Sequence, residues 1–197
     1  MTGRRGLTSE GVIDAAVALV DVEGASALSL SRLAREVGVK PPSLYNHVGG
    51  LDSLRRDVGL RVAARLGERL GRAVMGRAGS DAVHAIAVEF RAYVTSHPHL
   101  YEFSIQARPD DEEYERVTVE AIEPVIVVLR GYGLDETETI HAARALRSAL
   151  HGFVSLEIAG GFGFDVDIDQ SFKRLIDRLV DSFESPLSAE SAGGLGI

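Results

Sequence analysis

The sequence predicts an all-α protein. Apolar residues recur at spacings of three and four in almost every periodic segment of the 197-residue chain, as they do on one face of an amphipathic helix. Residues that cap or end helices stand at the borders of these segments. No segment shows the strict alternation of a half-buried strand. An apolar content of 45% and a charged content of 25% are typical of a globular protein, and the length suits a small and a medium-sized domain.

Two helices are predicted before residue 40. Thr8 is a suitable N-cap for the first helix, and Gly24 is a suitable terminator. The inward stripe of this helix is predicted to contain Ile13, Ala16, Val17 and Val20. Ser29 then caps a helix of about two turns, which ends at Gly38 because glycine tolerates the positive φ of a sharp turn.

A third, short helix is predicted after this turn. Pro41 and Pro42 fit its first turn, where a missing N–H group costs nothing. Leu44 and Val48 are one turn apart and are expected to face inward. The glycines of residues 49–50 end the helix. Two short helices joined by a glycine turn form the pattern of a helix-turn-helix unit.

Further helices are predicted along the rest of the chain. A long helix from Leu51 to about residue 75 is followed by a glycine-rich segment at residues 76–80, which is the candidate inter-domain joint. The others span residues 81–96, a short segment opened by Pro98, residues 110–130 with a kink at Pro124, residues 135–159 and residues 169–183. Residues 185–197 are small and polar, which predicts a disordered tail.

Charge is divided unevenly along the chain, whose formal net charge is -8. Residues 1–72 contain 11 Lys and Arg against 8 Asp and Glu, a formal charge of +3, so residues 73–197 carry -11. A basic N-terminal part followed by an acidic C-terminal part suggests that the N-terminal part approaches a polyanion. The sequence has no cysteine, no recognisable signal peptide and no apolar run long enough to span a membrane, so we expect a cytoplasmic protein.

The predicted third helix has a polar outer face within residues 37–51, a segment without any acidic side chain. With the apolar residues turned inward, this face is formed by Lys40, Ser43, Tyr45, Asn46 and His47. Such side chains suit base edges and phosphates in a major groove, where phosphate would repel a carboxylate. DNA binding is the functional interpretation, and an ordinary solvated helix face is the alternative.

Residues 7–58, LTSEGVIDAAVALVDVEGASALSLSRLAREVGVKPPSLYNHVGGLDSLRRDV, resemble the DNA-binding domain of the TetR/AcrR family of bacterial transcriptional regulators. The core LAREVGV…SLYNHV carries the resemblance. It implies a homodimer whose two recognition helices bind a palindromic operator and which usually represses until a small-molecule effector binds. It also implies that Asn46 is a candidate for base reading and that the operator is contacted by Lys40, Pro41, Pro42, Ser43, Tyr45 and His47.

Two positions depart from the family's pattern. Many members carry a lysine at the start of the fourth helix, where this chain has the glycines and the leucine of residues 49–51. Ser31 stands where some members use a base-reading arginine. Phosphate contacts are therefore expected from helix N-termini and from Ser29, Arg32, and Arg4 and Arg5 in an N-terminal arm.

The resemblance also divides the chain. It implies a helix-turn-helix domain at residues 1–50 and a helical effector-binding and dimerisation domain at residues 51–184, which begins with a connecting helix at residues 51–75. In the family, the last two helices of each subunit form a four-helix bundle across the dimer axis. This implies a dimer interface of Ala142, Ala145, Ala149, Gly152, Leu156, Phe172, Leu175, Leu179 and Phe183. Burial of these faces within one subunit is the alternative.

The sequence HGFVSLE, which follows Leu150, resembles a C-terminal subgroup named for a Trp-His-Gly motif, with the leucine in place of tryptophan. The helix-turn-helix domain at residues 1–50 is called the head. The predicted effector pocket lies between the head and the last two helices. Aromatic bulk with a few polar groups is typical of small-molecule pockets, and the candidates are Tyr93, His97, Tyr101, Phe103, Arg108 and Tyr114. For each of them, ordinary core packing is the alternative.

Other chemistry is not supported by residue spacing. The HPH of residues 97–99 is better explained as a helix junction than as a metal site, and the DVDID of residues 165–169 lacks the glycine and glutamate of a calcium loop. The GGFGF of residues 160–164 follows a helix, so it is no dinucleotide fingerprint. We therefore predict a regulator that is not an enzyme and has no metal or cofactor. A helical small-molecule carrier or enzyme without DNA binding is the rival hypothesis.

Overall fold

The computed structural model describes residues 7–105, 108 and 110–185, and this part of the chain is helical and contains no strand. The helical fold confirms the all-α prediction. Arg4, Arg5 and residues 186–197 lie outside the described residues. The described helices are α1 (Ser9–Glu23), α2 (Leu30–Glu36), α3 (Pro41–Leu44), α4 (Leu51–Val74), α5 (Gly79–Ser96), α6 (Pro98–Ser104), α7 (Glu112–Arg130), α8 (Glu136–Ile158) and α9 (Ile168–Glu184), with a 3-10 turn at Ala25–Ala27 after α1. None of these helices is both long and apolar enough to cross a lipid bilayer.

The first two helices begin where their capping residues predict. Thr8 Oγ1 accepts a hydrogen bond from the N–H of Gly11 at 3.1 Å, and Ser29 Oγ accepts one from the N–H of Arg32 at 3.2 Å. Each hydroxyl satisfies one of the N–H groups that a helix leaves unpaired at its start. After α2 the chain turns at Gly38, whose φ of 71° would strain a residue with a side chain.

The third helix is shorter than its sequence predicts. α3 ends at Leu44, and Tyr45–His47 follow as turns. The N–H of Val48 still donates to the carbonyl of Leu44 at 2.9 Å, so a helix-like hydrogen bond joins the two residues. Leu44 is fully buried and Val48 is 4% exposed, which confirms that both face inward.

The chain forms two compact units. Unit 1 contains the residues up to Glu68 together with Ala92–Ile122, and unit 2 contains Arg69–Arg91 and the residues from Glu123 onward. Unit 1 thus holds α1 to α3, most of α4, the end of α5, α6 and the start of α7. Its fully buried side chains include Val12, Ala16, Val20, Leu33, Ala34, Leu44, Leu54, Val58 and Val62.

Within unit 1, α4 and α7 approach each other closely at a glycine. A Cβ atom added at Gly67 would lie 2.6 Å from the Cα atom of Ala121. Such a contact is too short for any side chain, so glycine is required for this separation of the two helices.

In unit 2, α8 and α9 bury apolar side chains and are tied to α5 by an arginine. Arg91 donates to both carboxylate oxygens of Glu157, at 2.8 and 2.5 Å. Its guanidinium also lies 4.9 Å from the centroid of the Phe172 ring, within cation-π distance. The buried residues of α9 are Phe172, Ile176, Val180 and Phe183.

A second arginine, Arg56 of α4, binds carboxylates at the start of α7. It donates two hydrogen bonds to Asp111, one of them 2.8 Å from Nη2 to Oδ1, and Nη2 also donates to Glu113 at 2.6 Å. Asp111 also accepts the N–H of Tyr114 at 3.0 Å and therefore caps α7. The hydrogen bonds from Arg56, and then that from Tyr114, lower the pKa of Asp111 to about 2.

Asp111→Asn is expected to lower the free energy of unfolding at neutral pH, because asparagine can cap α7 but cannot pair with Arg56. The folded pKa of Asp111 lies below the value of about 3.9 for an unfolded aspartate. Its contribution is therefore present above pH ~4 and is lost as the pH falls through ~2. Urea denaturation across this range should show a difference between wild type and variant that shrinks toward low pH.

Asp110→Asn is the matched control, since Asp110 is exposed and makes no ion pair with any described residue. It removes the same charge from the neighbouring position. A wild-type advantage over Asp111→Asn that stayed constant with pH would contradict the assignment.

Candidate nucleic-acid interface

The helix-turn-helix is built on a small apolar core. Leu33 and Ala34 of α2 are fully buried, as is Leu44 of α3. The N–H of Val39 donates to the carbonyl of Ala34 at 2.9 Å and closes the turn between the two helices. The small side chain of Ala34 lets the two helices approach closely.

Around this core the segment from residue 40 to residue 47 presents its polar side chains to solvent. Tyr45 is 61% exposed. His47 is half-buried, and the other predicted contacts in this segment are exposed: Lys40, Pro41, Pro42, Ser43 and Asn46. The structure therefore brings these predicted residues together on one surface, which we call the α3 face.

The predicted contacts on α2 are arranged differently. Ser31 is exposed, whereas Ser29 is half-buried and its hydroxyl oxygen caps the helix. Arg32 is held by two carboxylates: Nη2 donates to Glu23 at 2.5 Å and Nη1 donates to Glu36 at 2.7 Å. These hydrogen bonds raise the pKa of Arg32 and tie α2 to the end of α1. A phosphate would have to compete with both carboxylates for this guanidinium.

Lys40 is in the opposite situation. It is exposed, and no ion pair joins it to any residue that the structure describes. The absence of acids from residues 37–51 leaves its charge uncompensated locally. Lys40 is therefore better placed than Arg32 to bind phosphate.

Arg35 is a candidate contact outside the predicted set. It is exposed, and within the described ranges it has no ion-pair partner. Its spacing of four from Ser31 places the two residues on one face of α2. That spacing is the sequence signal that identifies it.

The residues of the predicted effector pocket lie in unit 1 and are mostly packed. Tyr93, Tyr101, Phe103 and Tyr114 are buried, with exposures of 3%, 6%, 6% and 3%. The Tyr114 hydroxyl donates to the carbonyl of Phe103 at 3.1 Å. These aromatic side chains, from α5, α6 and α7, thus contribute to the core of unit 1.

The two polar members of that set have acidic partners. His97 Nδ1 lies 2.9 Å from each carboxylate oxygen of Asp21 in α1. Arg108 faces Asp52 at 3.4 Å through both of its terminal nitrogens. His97, part of the HPH sequence, therefore joins α1 to the start of α6.

The predicted dimer residues lie in unit 2 with unequal exposure. Ala145 is exposed and Leu156 is 51% exposed, whereas Ala149, Gly152, Leu175 and Leu179 are half-buried. Ala142, Phe172 and Phe183 are 8%, 4% and 4% exposed in the single chain. The surface that a partner can reach is therefore narrower than the predicted set.

Comparison with known proteins gives two family matches. Residues 12–55 match the model of bacterial regulatory proteins of the tetR family, and residues 83–179 match that of the tetracyclin repressor-like C-terminal domain. The two matches fall on the head and on the C-terminal helices, respectively.

Individual relatives cover most of the chain. The uncharacterized HTH-type transcriptional regulator Rv0681 of Mycobacterium tuberculosis is 41% identical over 181 residues, 90% of this chain and 82% of the relative. The uncharacterized HTH-type transcriptional regulator YobS of Bacillus subtilis is 34% identical over 173 residues, 87% of this chain and 90% of the relative. The solved structure of BioQ with its natural double-stranded DNA operator has the same fold, with a TM-score of 0.67 at 22% identity over 91% of this chain and 99% of that one.

The fold and the α3 face define a helix-turn-helix DNA-binding protein. The relatives assign it to transcription rather than to catalysis, which confirms the prediction that it is not an enzyme. The chain belongs to the TetR family of bacterial transcriptional regulators.

Lys40→Gln and Arg32→Gln remove the same charge from neighbouring parts of the head. We expect Lys40→Gln to make the slope of log binding constant against log salt shallower by about 0.9, the effect of one lost phosphate contact. Arg32→Gln should change the slope less, because its guanidinium is already paired with Glu23 and Glu36. Fluorescence anisotropy with a labelled operator over a series of salt concentrations measures both slopes.

Thermal unfolding of both variants supplies the control. Arg32→Gln should lower the melting temperature, since it removes the link between α1 and α2, whereas Lys40→Gln should not. If Arg32→Gln changed the slope of log binding constant against log salt more than Lys40→Gln does, Arg32 would bind phosphate despite its ion pairs with Glu23 and Glu36.

Proposed function

We propose that the protein is a homodimeric repressor in the cytoplasm, which binds a palindromic operator and is released from it by a small-molecule effector. The observation that carries the DNA-binding part is the α3 face, exposed and free of acids, above the buried side chains of Leu44 and Val48. Family membership supports the repressor role and effector release.

Each part of the α3 face has a proposed role. Asn46 reads a base edge, because an amide can donate and accept toward adenine in the major groove. Tyr45 and His47 contact phosphate, and Lys40 adds a charge. Pro41, Pro42 and Ser43 lie at the start of α3 and approach the sugar-phosphate backbone of DNA.

Phosphate binding also draws on α2 and on the arm. Ser29 caps the N-terminus of α2, and Ser31 stands exposed in its first turn. A helix N-terminus favours an anion, since its N–H groups and dipole point toward it. Arg4 and Arg5 are proposed to add charge from the N-terminal arm. These groups would supply the phosphate contact that many members of the family make through a lysine at the start of the fourth helix.

The proposed dimer uses α8 and α9 of unit 2. Exposed Ala145 and Leu156, with half-buried Ala149 and Gly152, give α8 a surface of small residues that a second helix can approach closely. Half-buried Leu175 and Leu179 extend it on α9. Ala142, Phe172 and Phe183 are proposed to support this surface from beneath.

The DNA-binding part is tested by selecting an operator from random DNA with the wild-type protein. We expect an enriched palindrome, and Tyr45→Ala should weaken binding to it by about tenfold, the typical loss for one good contact. Tyr45→Phe separates the contribution of the hydroxyl from that of the ring. Because Tyr45 is 61% exposed, both variants should keep the wild-type melting temperature.

His141→Ala is the control, as this histidine is exposed on α8, outside the helix-turn-helix segment of the sequence. It should leave operator affinity unchanged. A selection that enriches no palindrome would count against the proposed operator, and undiminished binding by Tyr45→Ala would remove this side chain from the interface.

Ala145→Arg tests the dimer interface. The side chain of Ala145 is exposed in the single chain, so arginine fits on the monomer. In the proposed dimer the arginine would clash with the partner's closely packed helix and place a buried charge in the interface. We expect wild type to sediment as a dimer and Ala145→Arg to shift toward the monomer at the same concentration. Analytical ultracentrifugation measures the shift.

Ala92→Arg makes the same substitution at an exposed position of α5 and should remain dimeric. A wild-type protein that sediments as a monomer, or an Ala145→Arg variant as dimeric as the control, would contradict the proposed interface.

A further inference from the structure

A cleft with a volume of about 250 Å³ opens in unit 1 beside the first turn of α4. Asp52 and Arg55 line it from α4, and Phe103 lines it from α6. Ser26 of the 3-10 turn and Arg108 of the segment before α7 complete its walls. Two members of the predicted effector set, Phe103 and Arg108, therefore line this cleft, Phe103 with the 6% of its surface that is exposed.

Both arginines of the cleft are available to an anion. Arg55 is exposed and has no ion-pair partner within the described part of the chain. The pair that Arg108 forms with Asp52 is long: both terminal nitrogens lie 3.4 Å from the oxygens of Asp52, which is itself 86% exposed. The guanidinium also lies 6.0 Å from the centroid of the Tyr114 ring, a contact that an anion need not break. By comparison, Arg56 and Asp111 are joined at 2.8 Å in the same unit. An anion can replace Asp52 at Arg108 with little loss.

The other walls restrict the ligand further. Phe103 offers a small apolar surface, because most of its ring is buried, and exposed Ser26 offers a hydroxyl. Glu102, also in the wall, is exposed and makes no ion pair with a described residue, so it can accept a hydrogen bond from a ligand donor. The volume lies below the ~300 Å³ at which pockets for drug-sized ligands begin, so the ligand is small.

We propose that this cleft binds a small organic acid that also carries a hydroxyl or amino donor, and that this acid is the effector. The carboxylate bridges Arg55 and Arg108 and displaces Asp52, while the donor faces Glu102. The binding site stands on its own geometry, and the effector role rests on the proposed function.

The position of the cleft explains how its occupant acts on DNA binding. Ser26 lies in the turn that leads into α2, and Asp52 lies in the first turn of the helix that follows α3. A ligand between them contacts both ends of the helix-turn-helix segment. It shifts the conformation of the head to the extent that it binds one arrangement of these walls better than another.

Calorimetric titration of the DNA-free full chain tests the site. The probes are lactate and salicylate, with propanoate and benzoate as acids without the donor and lactamide and salicylamide as neutral controls. We expect a hydroxy acid to bind and its amide not to bind. Arg55→Gln and Arg108→Gln should each weaken binding about tenfold or more, as expected for a lost charge-assisted hydrogen bond.

Asp52→Asn should act in the opposite direction and tighten binding, because it removes the competing carboxylate. Because Asp52 is 86% exposed, the variant is expected to fold, and a thermal unfolding curve like that of wild type checks this. Arg77→Gln, at an exposed position in the turn after α4, is the charge-matched control and should bind like wild type.

The site is overturned if neither hydroxy acid binds, if the amides bind as well as the acids, or if both arginine variants bind like wild type. Release of the selected operator by the same acid tests the effector role, and binding without release would overturn that role. If no operator is selected at all, the proposed function fails while the calorimetry still decides whether the site exists.

Discussion

The orientation of the DNA-reading surface depends on the burial of Leu44. α3 contains four residues, and a helix of this length does not hold together in water without tertiary contacts. Leu44 is fully buried against the core that α2 supplies, and Val48 is buried one turn later. Because these two side chains are fixed, the intervening Tyr45 and Asn46 must face outward. The chemistry of the α3 face is therefore a consequence of apolar packing beneath it.

Charge pairing then decides which cations of the head are available to a polyanion. The excess of +3 over residues 1–72 is a sum, and much of the positive charge in it is already neutralised locally. Arg32 is paired with Glu23 and Glu36, and Arg61 lies 2.9 Å from Asp14. Lys40 has no such partner among the described residues. A few unpaired cations beside an acid-free surface can thus bind DNA on a protein of net charge -8.

Local signals made most helix ends predictable, whereas non-local contacts did not follow from the sequence. Thr8 and Ser29 cap their helices within three residues, so their spacing is enough. Ile13 was expected in the core of α1 but is half-buried, and Val12 is fully buried in its place. The periodicity of apolar residues predicts that a helix has an apolar face, but it does not tell from which direction the neighbouring helices cover that face. The pairing of Arg32 with Glu23 and the walls of the cleft likewise depend on tertiary packing.

Unit 1 shows why the head is not an isolated three-helix module. It includes Ala92–Ile122, and this later segment reaches the head through polar contacts as well as through its aromatic core. His97 binds Asp21 of α1, and Asp111 binds Arg56 of α4. A change in the position of residues 92–122 must therefore alter contacts made by the helices on either side of the helix-turn-helix. For a ligand that binds within this unit, coupling to DNA needs no path longer than these side chains.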